Sequence, residues 1–155
     1  MTFTLESPAF ADGAKIPTRY TREGENLSPP LAWKDPPAGT KSFVLILEDP
    51  DAPAGIFRHW AVYDIAPERT LIPEGPHSGV KTEPLGLGVN DFGNSFYDGP
   101  QPPKGHGPHH YHFHLAALDV ARLDLPAKAS VGDVWDAARS HLLGEAELVG
   151  IYEAA

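Results

Sequence analysis

Three groups of residues have the types and the spacing to do chemistry. The first is Asp49-Pro50-Asp51-Ala52-Pro53, in which two carboxylates stand in a segment stiffened by two prolines. Carboxylates are poor partners for an anion unless one is protonated or they hold a histidine that carries the positive charge. His59 follows Pro53 by six residues, close enough for the intervening loop to bring its ring back over the aspartates. The plainer readings are a tight turn whose aspartates cap backbone amides, and a core histidine bonded to the backbone.

The second group is the run from Tyr97 to Tyr111, Tyr-Asp-Gly-Pro-Gln-Pro-Pro-Lys-Gly-His-Gly-Pro-His-His-Tyr. Its prolines and glycines make a rigid, open-backed loop in which backbone amides near Gln101 can donate to an anion. At the exit His109 and Tyr111 fall two residues apart, on one face of an extended strand, and both can donate to an oxyanion. Against this stands a Tyr111 that is simply core.

The third group is the set of five histidines between His106 and His114. His110, His112 and His114 alternate onto one strand face, and imidazole suits zinc, copper or nickel. Consecutive residues on one face lie about 7 Å apart along a strand, wide for one ion, and the three equally suit a wetted polar face. No metal ligand is assigned from the spacing, and a histidine-rich metal-binding protein stands as an alternative reading.

These groups need elements to hold them. Phe43 to Leu47 is an unbroken apolar run ended by Asp49-Pro50, which predicts a central strand buried on both faces. His59 to Ile65 predicts a second strand, with Trp60 and Val62 on one face and His59, Ala61, Tyr63 and Ile65 on the other. His109 to Leu118 predicts a third, with His109, Tyr111, Phe113 and Leu115 buried and His110, His112, His114 and Ala116 opposite. Phe3 and Leu5 predict a short edge strand ahead of Pro8. Residues 11 to 41 read as loop with short strands anchored by Leu31 and Trp33, and residues 66 to 108 as loops with one short strand near Leu87. Ser130 as N-cap, with Asp133 three positions on, opens a helix whose apolar stripe is Val131, Val134, Trp135, Ala138 and Leu142 and whose stop is Gly144. A last strand over Ala146 to Tyr152 returns the chain to the sheet.

Composition narrows the function classes. A chain of 155 residues suits a single domain over 1–155 with one core. Acidic residues outnumber basic ones 21 to 12, so nucleic acid and anionic lipid are repelled at long range, and a bound anion needs a local set of donors. The absence of cysteine excludes disulfides and thiolate chemistry. No apolar run reaches the length of a membrane span and the N-terminus lacks the pattern of a leader, so a cytoplasmic protein without stable membrane insertion is expected.

Four ordered stretches, Glu25-Asn26-Leu27-Ser28-Pro29-Pro30-Leu31-Ala32-Trp33, Asp49 to Pro53, His59-Trp60 and Tyr97 through Asp119, make the chain resemble the phosphatidylethanolamine-binding protein family over nearly its whole length. Within it, the chain is similar to the bacterial branch often called Raf kinase inhibitor-like proteins. The resemblance implies a mostly β fold, a β-sandwich with one helix in the C-terminal half and long loops, and a small pocket at one end. In the family that pocket holds phosphate, acetate or a phospholipid headgroup. The motif positions are Asp49, Asp51, Pro53, His59, His109 and Tyr111, joined by Phe57, where relatives often carry tryptophan, and Gln101, where animal members have glycine. The chain ends soon after Tyr152, without the C-terminal extension of animal members, and bacterial relatives suggest a homodimer.

The expected function is thus a binding protein for a phosphate, phosphoryl headgroup or carboxylate, with a kinase or protease as a possible regulated target and no cofactor. The alternative is a hydrolase in which Asp49 orients His59 or His109 as general base. Against it, the sequence has no G-x-S-x-G elbow and no cysteine, and no catalytic residue is assigned.

Overall fold

The apolar run around Phe43 to Leu47 lies at the centre of the larger of two sheets. The computed structural model describes residues 2–75 and 86–154. Its strands and α-helix are β1 (Thr4–Glu6), β2 (Leu31–Lys34), β3 (Ser42–Asp49), β4 (Phe57–Ile65), β5 (Leu71–Ile72), β6 (Gly86–Leu87), β7 (His109–Leu118), α1 (Val131–Arg139) and β8 (Leu142–Tyr152), with a 3-10 turn at Thr18–Tyr20. The five-stranded sheet runs β6-β4-β3-β7-β8, and a three-stranded sheet runs β1-β2-β5. All of these pairings are antiparallel. The expected short strand near Leu87 is β6, while residues 76–85 of the expected loop lie outside the described residues.

Strand β3 is buried on both faces because each face meets a different layer. Phe43, Leu45 and Leu47 point into the sandwich, against Leu5, Leu31, Trp33 and Ile72 of the small sheet. Val44 and Ile46 point the other way, onto Val131, Val134 and Ala138 of α1. Each of these β3 side chains is fully buried, which contributes about 1.5–3 kcal/mol apiece relative to exposure. The β-sandwich with one helix expected from the sequence is therefore the fold observed.

Strand β4 departs from the expected alternation at two places. Leu47 pairs with Trp60 but Glu48 pairs with Arg58, so His59 is an extra residue opposite β3. This bulge brings His59 onto the same side as Trp60, where its ring meets Tyr111 edge-on at 5.5 Å. A second shift lies between the Phe43–Ile65 and Leu45–Val62 pairs, where Asp64 adopts φ 59°. It returns Ile65 to the sandwich core beside Val62, and only Ala61 and Tyr63 face the helix layer. Strict alternation fails here because a bulge adds one residue to one strand and reverses the facing of all that follow.

The helix begins as expected, with the Ser130 hydroxyl accepting from the Asp133 amide at 3.0 Å. It stops at Arg139, five residues before Gly144, because the backbone of residues 142 onward is taken up by pairing with β7. Leu142 thus opens β8 and leaves the helical stripe. Gly144 lies within β8, where a β-carbon would stand 2.7 Å from Cγ of Pro37, so its small size serves packing.

Candidate functional site

The sandwich face of the large sheet continues past the core at one end, where β3 finishes, β4 starts and β7 starts. A cavity of about 200 Å³ lies there, walled by Asp49, Ala52, Pro53, Phe57, His59, Phe92, Gln101, Pro102, Pro103, His109 and Tyr111. Antiparallel pairing explains why these groups meet. Asp49 pairs with Phe57 across β3 and β4, and β7 enters on the other side of β3 with His109 and Tyr111 on the same face. Of the residues expected from the sequence, Asp49, Pro53, Phe57, His59, Gln101, His109 and Tyr111 line this cavity.

Asp51 does not line it. Its carboxylate accepts from the His110 amide at 2.7 Å and lies 2.8 Å from His110 Nδ1. Those bonds, the amide's first, hold its carboxyl below the usual carboxylate range. Asp51 acts as a clamp that ties the β3–β4 loop to the start of β7. Its own amide donates to Asp49 Oδ1 at 2.8 Å, which orients the neighbouring carboxylate.

Asp49 and His109 form a buried pair. His109 Nδ1 lies 2.6 Å from Asp49 Oδ2, with both side chains under 5% exposed. On the far side of the ring, His109 Nε2 lies 2.6 Å from Nδ1 of His106, a surface residue held between Gly105 (φ 80°) and Gly107 (φ 85°). A chain Asp49–His109–His106 therefore runs from the buried carboxylate to solvent. Tyr111, also buried, donates to Asp49, and burial with the adjacent Asp49 charge pushes its phenol well above the ordinary value.

His59 is held differently. Its Nδ1 lies 2.8 Å from the backbone carbonyl oxygen of Asp98, so this nitrogen carries the proton and donates. Burial, the largest influence, pulls the imidazole pKa below its ordinary value although the Asp98 carbonyl and the Asp49 charge oppose it. The free protein thus holds His59 neutral at pH 7, with Nε2 as an acceptor.

Behind His59 lies a polar cluster that pattern reading did not assign to the site. The Asp98 carboxylate accepts from Asn90 at 2.8 Å, Asn94 at 2.9 Å and Asn26 at 3.2 Å, and Arg22 Nε is 3.7 Å away. Asn90 also donates to the His59 carbonyl at 3.0 Å, fixing the bulge itself. Arg22 lies over the Phe92 ring at 4.0 Å and donates to Gln101 Oε1 at 3.2 Å, so a cation stands at the edge of the wall.

Among known proteins, residues 6–153 match the family model described as "Phosphatidylethanolamine-binding protein". The chain belongs to the phosphatidylethanolamine-binding protein family. Within the family it is 46% identical over 152 residues to a UPF0098 protein of Aquifex aeolicus, covering 95% of this chain and 86% of the relative. A UPF0098 protein of Methanothermobacter thermautotrophicus is also 46% identical, over 149 residues, 96% of this chain and 97% of the relative. The crystal structure of Escherichia coli YbcL, described as a new member of the mammalian PEBP family, superposes with a TM-score of 0.93 at 33% identity, covering both chains completely. These relatives are consistent with the bacterial-type branch.

Among the described residues no helix is long and apolar enough to cross a membrane. The three-histidine group seen in the sequence is divided by the structure. His110 is engaged by Asp51, while His112 and His114 converge on Glu147 from β8 on the face away from the cavity.

Proposed function

We propose that this family member is a binding protein for a small anion, a phosphoryl or carboxylate group, seated in the cavity beside His59 and His109. The observation that carries the reading is that both imidazoles have Nδ1 committed to the protein, His59 to the Asp98 carbonyl and His109 to the Asp49 carboxylate. That leaves Nε2 of His59 to serve a ligand, and Nε2 of His109 once the His106 ring that meets it at 2.6 Å gives way. An anion beside His59 favours the protonated ring, so binding draws in a proton and converts Nε2 from acceptor to donor. Phe57, Phe92, Pro53, Pro102 and Pro103 supply an apolar wall for the substituent. The volume falls below the range of about 300–1,000 Å³ that holds drug-sized ligands, which favours a phosphate or headgroup over a larger molecule.

Binding is favoured over hydrolysis because the cavity wall contains no serine, threonine or cysteine, so covalent catalysis has no nucleophile of those kinds there. Calorimetric titration with inorganic phosphate and phosphoethanolamine at about pH 6 and 8 tests the reading. Saturable binding that weakens at the higher pH supports it. An absence of saturable heat at either pH overturns it.

A further inference from the structure

We infer that the opposite face of the large sheet carries a second, separate site, for a divalent transition metal ion of the zinc type, with His112, His114 and Glu147 as ligands. The strand registers assemble it. β7 sends His112 and His114 to the face away from the cavity, β8 places Glu147 opposite His114 and Glu145 opposite Ala116, and β3 places Glu48 opposite His112. Two imidazoles and three carboxylates from adjacent strands therefore share one patch.

The ligand atoms already converge. Nδ1 of His112 and Nδ1 of His114 lie 3.1 Å and 3.3 Å from the same atom, Oε2 of Glu147. A tetrahedral ion with bonds of about 2.0–2.1 Å sets its ligand atoms about 3.3 Å apart, so both imidazole–carboxylate edges have the length a zinc site requires. One ligand atom from each of the three residues lies within 4.8 Å of the others, and the two rings stack at 5.9 Å, so metal entry requires the imidazoles to turn toward each other. The rise of about 7 Å between same-face residues is thus overcome by a carboxylate from the next strand that reaches both rings.

Surrounding groups fit the same role. Oε1 of Glu48 lies 3.2 Å from Nε2 of His114, the carboxylate–histidine contact that keeps the proton on Nε2 when Nδ1, which faces Glu145 and Glu147, turns to a metal. Oε1 of Glu145, 2.9 Å from His114 Nδ1, stands within reach of a fourth position. Trp135 of α1 covers His114 at 5.4 Å, so that the His114 side chain is 14% exposed, whereas Glu147 is 44% exposed and leaves the outer side open to water. The formal charge of −9 draws cations to the whole chain, and three carboxylates focus that attraction here.

The test is titration of tag-free, chelator-stripped protein with zinc chloride, with cobalt(II) chloride as a spectroscopic probe of ligand geometry. One equivalent of zinc is expected, and cobalt is expected to give the intense visible bands of a four-coordinate site. His112→Ala and Glu147→Gln should each weaken zinc by about tenfold or more, Glu48→Gln should weaken it through His114, and His110→Ala should leave it unchanged. The changes at His112, Glu147 and Glu48 should leave phosphate affinity at the other face unaltered. Absence of saturable zinc binding, retention of wild-type affinity in both His112→Ala and Glu147→Gln, or loss of binding in His110→Ala would each overturn the assignment. Far-ultraviolet circular dichroism of each variant confirms that it is folded.

Discussion

His59 donates its Nδ1–H to the backbone carbonyl of Asp98 across 2.8 Å, and this bond decides which nitrogen the cavity meets. With Nδ1 fixed as donor and burial holding the ring neutral, the ring turns an acceptor toward the cavity. On the proposed reading, an anion would reverse that state by favouring the imidazolium, coupling ligand binding to protonation of one buried ring.

The first prediction concerns pH. The folded-state pKa of His59 lies below its ordinary 6.5, so the unfolded chain binds the proton more readily. The stabilising effect is complete above about pH 6.5 and is lost as pH falls toward the depressed folded value. The His59 share of the urea midpoint, read as the difference between the parent and His59→Gln because the raised pKa of His114 acts in the opposite direction, should therefore fall between about pH 7.5 and 5.5, and saturating phosphate should reduce the fall if the liganded protein accepts the proton. An NMR titration of His59 should show its pKa rising when phosphate is added. A pKa that stays put would separate His59 from the ligand.

Asp98 supplies the second prediction. Its carboxylate accepts from three asparagine side chains in a setting that is 2% exposed. Asp98→Asn keeps the shape but turns an NH2 toward amide donors, leaving buried groups without partners. The cost should be about 2–3 kcal/mol in urea unfolding. Phosphate affinity should fall too, because Asn90 holds both Asp98 and the carbonyl of His59. Unchanged stability would mean that the amides find other partners.

The third prediction separates the two histidines of the surface-linked chain. His109→Ala removes the ring that stands between the buried Asp49 carboxylate and the cavity, and the uncovered negative charge should weaken phosphate binding by about tenfold. His106→Ala removes the residue that occupies His109 Nε2 in the free protein, so its affinity should equal or exceed that of the parent. Calorimetry on the two variants side by side decides the matter. If His106→Ala binds weakly while His109→Ala binds normally, the anion is held by the surface ring and the cavity assignment fails.

Much of this arrangement was legible in the residues, and the reasons are local. β3 announced itself through five consecutive apolar residues because both of its faces are covered, and β7 through alternation because its first half has one core face and one partly exposed face, before Ala116 and Leu118 meet the helix layer. Ser130 and Asp133 marked the helix start by a bond within four residues of chain. The β4 bulges were not legible, since a bulge depends on the partner strand. Phe92 and the Asn26–Asp98 contact were hidden for the same kind of reason. Asn26 and Asp98 are 72 residues apart, and nothing in either loop's composition reports the other. Gly144 misled because a glycine required by Pro37 looks, in one dimension, like a glycine that ends a helix.

The last prediction tests how far the site depends on one close approach of backbone. Gly99 follows Asp98, and its amide donates to Asn26 Oδ1 at 2.7 Å. A β-carbon there would lie 2.1 Å from the carbonyl oxygen of Tyr20 and 2.9 Å from Cα of Thr21, both backbone atoms that no rotamer change can move. Gly99→Ala must therefore push the two loops apart. Because Asp98 is the adjacent residue, that separation is carried directly to the carbonyl that fixes His59. Overpacking of this kind costs about 1–3 kcal/mol, and the lost tautomer control should weaken phosphate binding beyond what the lower stability explains. The check is to measure affinity at a temperature where the variant is fully folded. Normal affinity there would show that His59 keeps its orientation without the Asp98 carbonyl, and that the β4 bulge alone positions the ring.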